Sequence, residues 1–194
     1  MMQRSTQTPL RDTENAPYKE RLKRMVRTVL RGVGVVVTCI ALIGLPVAAQ
    51  SGAAVVAGQS AGGIRVGGDI HDAMGLLGSV VNQSDREKYT LYDWPFKPFL
   101  VIAEKDTGKV VLVLIQLSEQ YKTDKGGITG GSDRTIVEDS YGKEFATDEG
   151  RTLTMIYDPL GIAFDIGKSG VLSGKVMSII VFVPGEWKSI TASL

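Results

Sequence analysis

The chain has 194 residues, of which 43% are hydrophobic and 22% charged, and its formal net charge is +1. These values exclude a disordered acidic tail, a collagen-like repeat and a polytopic membrane protein. The charge is unevenly spread: residues 1–49 carry eight Lys/Arg against three Asp/Glu, whereas 50–194 carry fourteen against eighteen.

The basic N-terminal stretch (Lys19, Arg21, Lys23, Arg24, Arg27, Arg31) precedes the uninterrupted apolar run VGVVVTCIALIGL at 33–45. Pro46 and Val47-Ala48-Ala49 follow, with small residues where a signal peptidase requires them, so cleavage is expected after Ala49. A retained signal anchor in the inner membrane is the alternative, because the leader is long and the apolar run is at the lower limit for a span. Either way the remainder is expected outside the cytoplasm, periplasmic or secreted, with membrane contact only through 33–49 if that segment is kept. Cys39 is the only cysteine and falls within the apolar run, so the mature part has no disulfide, thiolate nucleophile or Cys-held metal.

Residues 50–68 hold six glycines and four alanines, the composition of a flexible tether, with Ile64 and Val66 opening a first strand at its end. In 69–83, Ile70, Ala73, Met74, Leu77, Val80 and Val81 recur at helical spacing behind a capping Asp69. Gly75 and Gly78 weaken that helix, and a strand ending at Val81 is the alternative. Strands are expected at Tyr89–Tyr92, at 99–104 (FLVIAE) and at 110–117 (VVLVLIQL), the last two joined as a hairpin through Lys105-Asp106-Thr107-Gly108-Lys109. A Gly-rich loop at 122–134 follows, then a hairpin formed by TIVED and KEFAT around Ser140-Tyr141-Gly142. Strands at 152–157, in GIAFDIG and at 176–183 complete the core, with an edge segment around Trp187 to Thr191. This pattern predicts a mainly β, antiparallel domain over 69–194, a sandwich or barrel with one short helix. No repeat of 20–50 residues is visible.

From Lys109 onward the order of elements resembles a group of bacterial extracytoplasmic immunoglobulin-like domains, of the lipoprotein and secreted-antigen type. The resemblance is carried by the long apolar strand, the TIVEDSYGKEFATD segment and the closing SGVLSGKVMSIIVFVPGEW segment, with Asp139, Gly142, Phe145, Phe182 and Pro184 at matching positions. It implies an Ig-like sandwich and gives those positions structural roles, so no catalytic or binding residue follows from it.

Two stretches raise the question of chemistry. Asp69, His71 and Asp72 resemble the opening Asp-x-His of two-metal phosphoesterases, but His71 is the single histidine, so at most a lone, weak metal site follows. Helix capping by Asp69 is the plainer reading. The segment Tyr89 to Phe99 gathers five of the thirteen aromatics, and Pro95 and Pro98 hold it extended. Exposed, Tyr92, Trp94, Phe96 and Phe99 would form a partner-binding strip; buried, they would plug one end of the fold. The other expected surface is the loop at 122–134. No serine elbow, phosphate loop or calcium loop is present, and no cofactor is implied. The expected function is a non-catalytic module that binds a protein or envelope component, without nucleic acid. The alternatives are a membrane-anchored structural subunit of an envelope complex and a small carboxylate- or metal-dependent hydrolase.

Overall fold

The computed structural model describes residues 54–78 and 82–194. The apolar run, Cys39 and the Ala49 cleavage position lie outside the described residues. The fold is mainly β and antiparallel, as the alternation of apolar residues requires.

Eight strands form the large sheet. In chain order, β4 (Asn82–Asp85), β5 (Tyr89–Trp94), β6 (Phe99–Glu104) and β7 (Val110–Gln116) form one meander. A second comprises β9 (Ala146–Glu149), β10 (Thr152–Tyr157), β11 (Ile162–Gly167) and β12 (Val176–Phe182). The order across the sheet is β4-β5-β6-β7-β12-β11-β10-β9, so the meanders join where β7 pairs with β12. A smaller sheet of β1 (Ala54–Val56), β2 (Ser60–Ala61), β3 (Ile64–Arg65) and β8 (Lys122–Thr123) is layered on one face. That face also carries helices α1 (Ile70–Leu77) and α2 (Arg134–Tyr141), while α3 (Trp187–Thr191) covers part of the other.

The two meanders are one unit used twice. Residues 62–78 (GGIRVGGDIHDAMGLLG) and 126–142 (GGITGGSDRTIVEDSYG) align without a gap and share six of seventeen residues. The backbone repeats the match. Gly67 N–H bonds Val110 O at 2.7 Å and Gly131 N–H bonds Val176 O at 2.8 Å. Ile70 N–H bonds Gly108 O and Arg134 N–H bonds Gly174 O, both at 2.9 Å. Each third strand carries its ladder irregularity at the corresponding place, Ile102/Ala103 and Asp165/Ile166. The β7–β12 ladder pairs Val113 with Val181, Leu114 with Ile180 and Ile115 with Ile179, so an approximate twofold axis passes through the Leu114–Ile180 pair.

Three expectations need correction. The TIVED segment forms α2, not half of a hairpin. Thr135-Ile136-Val137 is β-branched and favours strand locally, but Val137 is fully buried against the sheet, and Gly142, at φ +97°, ends the helix. Tertiary burial overrides propensity here. The 54–68 part of the supposed tether contains β1 to β3, because Val55, Ala61 and Ile64 are buried in the main core. Trp187 to Thr191 is a helix, held onto the sheet by Ile190 and by the Trp187 ring 5.1 Å from Phe182. The helix expected over 69–83 is present as the shorter α1, Ile70–Leu77, closed by Gly78 and with the Asp69 side chain accepting from His71 N, while Val80 and Val81 lie outside the described residues.

Core packing follows the strand period. Trp94, Phe99, Val101, Phe164 and Val181 face the helices, whereas Ile102, Leu112, Ile180 and Phe182 face α3. Truncating a phenylalanine as buried as Phe99, Phe164 or Phe182 to alanine would cost about 3–5 kcal/mol.

Candidate functional site

The aromatic strip divides between core and solvent. Trp94 ends β5 with 3% of its surface exposed, and its indole N–H donates to Gly78 O at 3.0 Å. Phe99 opens β6 at 2% exposure and meets Tyr121 edge-on, ring centres 5.0 Å apart. Tyr92 is half-buried beside Trp94. Phe96 differs from all three, being 93% exposed. Strand alternation would place Trp94 and Phe96 on one face, but β5 stops at Trp94 and Phe96 rides on the turn. That turn is firmly fastened: Lys97 N–H bonds Trp94 O at 2.8 Å, and Gln116 N–H bonds Pro98 O at 2.8 Å. A rigid turn therefore holds one aromatic ring out in water.

The loop at 122–134 is tied down. Ile128 is fully buried, and Thr123 donates to Lys125 O at 2.6 Å and accepts from Ile128 N at 2.8 Å.

Asp69, His71 and Asp72 are all exposed at the start of α1. Asp69 Oδ1 accepts from His71 N at 2.8 Å and lies 2.7 Å from His71 Nδ1. The backbone N–H of His71, then its ring, hold the Asp69 carboxyl below the usual carboxylate range. Among the described residues no group of three or more His, Cys, Asp or Glu is placed to hold a metal ion. The aspartate does what the plainer reading expects of it, capping α1.

One feature lies outside the stretches read from the sequence as candidate sites. Beyond the C-terminal end of α2, Tyr141, Phe145, Tyr157, Pro159 and Leu160 wall an open hollow of about 610 Å³, with Lys143, Glu144 and Asp158 also lining it. The Tyr157 ring lies 5.4 Å from Tyr141 and 5.6 Å from Phe145. Tyr157 donates its hydroxyl to Gly142 O at 2.7 Å, whereas the Tyr141 hydroxyl is buried without a partner among the described residues. Burial pushes both hydroxyls up to about 12. The Arg134 guanidinium stands 5.9 Å from the Phe145 ring centre while bonding Glu138 at 2.6 Å. Such a hollow offers ring faces and apolar walls to a flat or apolar group. Its signal in the sequence is the alignment of 126–142 with 62–78, which puts Tyr141 where the first half has Leu77.

No family model and no curated protein matches the chain. Among solved structures, it is similar to a cysteine-rich secretory protein from Staphylococcus aureus, at 16% identity and a TM-score of 0.47, over 74% of this chain. The chain spans about half the length of that protein, 51% of it. Among the described residues no helix is long and apolar enough to cross a membrane.

Proposed function

We propose that the chain acts outside the cytoplasm as a non-catalytic interaction module, with the Pro95–Pro98 turn as its contact surface. The observation that carries this reading is the 93% exposure of Phe96 on a turn whose flanking aromatics, Trp94 and Phe99, are buried. A ring held out by a fixed backbone loses little conformational entropy on binding, the property of an anchor residue. The basic stretch, apolar run and small residues around Ala49 support export.

A photo-reactive phenylalanine analogue at position 96, compared with the same group at Val171, tests the contact. Val171 is 98% exposed and serves as the control. A discrete adduct from position 96 alone is expected. The same adducts from both positions, or none, would overturn the reading. Intact mass from soluble and membrane fractions tests the location, with a mature chain beginning at Gln50 expected and full-length cytoplasmic protein against it.

A further inference from the structure

We infer that the Phe96 turn of one chain docks into the Tyr141–Phe145–Tyr157 hollow of a second copy, joining copies head to tail. The inference rests on the reading of Phe96 as a contact residue and names its partner. The donor is a fully projecting phenyl ring beside Lys97, and the acceptor is an open hollow walled by the half-buried Tyr141 and Phe145 rings, Pro159 and Leu160, with Tyr157 buried at 3% exposure beneath them. Charge agrees with that pairing. The lining carries Glu144 and Asp158 against one lysine, Lys143; Asp158 already receives the Trp187 N–H at 3.2 Å, so exposed Glu144 is the carboxylate placed to meet exposed Lys97.

The fold forbids the contact within one molecule. The donor turn joins β5 to β6, and the hollow lies at the turn joining β10 to β11, the equivalent hairpin of the other half. The approximate twofold axis exchanges these turns, which places them at opposite ends of the strands. They are also four strand positions apart across the sheet, about 19 Å at the usual spacing. A projecting residue and a remote pocket on one surface make a heterologous contact, which extends into rings or filaments.

Sedimentation of the purified chain over a wide concentration range tests this. The wild type is expected to associate, and Phe96→Ala or Leu160→Asp to remain monomeric; both residues are exposed, so folding is retained. Mixing the two variants decides the geometry. Phe96→Ala keeps the hollow and Leu160→Asp keeps the ring, so the mixture is expected to form one-to-one dimers that grow no further. Lys97→Glu and Glu144→Lys should each weaken association about tenfold, and the paired exchange should restore it. A monomeric wild type at every concentration, or association unchanged by Phe96→Ala, would overturn the inference. A monomeric chain that still gives a foreign adduct from position 96 would sink self-docking and leave the interaction module standing. Loss of both would sink the two together.

Discussion

Trp94 and Tyr157 perform the same task in the two halves of the chain: each ends the second strand of its meander and donates to the carbonyl of the glycine that closes its helix. The bonds are Trp94 Nε1 to Gly78 O at 3.0 Å and Tyr157 Oη to Gly142 O at 2.7 Å. An indole in one half and a phenol in the other satisfy the same orphan helix-end carbonyl.

Removing the donor alone should therefore have similar effects in the two halves. Trp94→Phe and Tyr157→Phe are expected to lose about 1 kcal/mol from the missing bond, with Trp94 losing somewhat more through its smaller ring. Urea unfolding of each variant measures this. A Tyr157→Phe chain as stable as the wild type would show that the bond is idle.

Tyr141→Phe should behave oppositely. Its hydroxyl is buried without a partner among the described residues, so deleting it removes a desolvation penalty. Stability is expected to stay level or rise by up to about 1 kcal/mol in the same titration.

Alkaline pH should expose the same two tyrosines. An unfolded tyrosine ionises near pH 10, whereas burial raises Tyr141 and Tyr157 to about 12 in the fold. The unfolded chain releases its protons first, so the stabilisation is complete below pH 10 and declines as pH rises towards 12. Phenolate absorbance should lag the free tyrosine curve, and the double Phe variant should show a shallower loss of stability over that range.

Helix starts give an asymmetric prediction. Asp69→Ala should destabilise the chain, since its carboxylate caps α1. Its depressed pKa makes that contribution vanish as pH falls through the folded-state value. Asp133 makes no such cap and instead pairs with Lys175 at 2.6 Å across the exposed surface. Asp133→Ala should therefore cost less than about 1 kcal/mol and respond to salt.

Two glycines separate strain from clash. Gly142→Ala meets open space at φ +97° and should cost about 1–2 kcal/mol. Gly161→Ala adds to a φ of +68° a collision with Phe182 O and with Gly58 Cα at 2.8 Å. Thermal scans should show the larger loss at Gly161.

Much of the sheet was legible because its strands alternate or run apolar in short bounded stretches, as at 99–104 and 110–117. The Asp69 helix was legible through its cap. What misled was local chemistry: Thr135-Ile136-Val137 reads as strand until Val137 is seen buried against the sheet. The duplication has no place among repeats of 20–50 residues, because its unit is offset by 64, from Gly62 to Gly126. In the candidate site, Pro95 and Pro98 pointed to a fixed extended segment, but alternation could not say that β5 ends at Trp94 and frees Phe96. The hollow was legible only through the alignment that sets Tyr141 opposite Leu77, because its rings come from α2, the segment after it and β10.

The seam between the meanders also governs how the chain reaches its native state. Every other pairing in the large sheet joins strands adjacent in the chain, most of them closed by short turns. The β7–β12 ladder instead matches Gln116 with Ser178 and Leu112 with Phe182, partners 62 to 70 residues apart. Closing that long a loop makes the seam the entropically expensive step. Each meander ends on a nearly equivalent apolar edge, so until the seam closes, either edge can take up the complementary half of a neighbouring chain. Closure within one chain has to outrun that exchange for an unswapped fold to form.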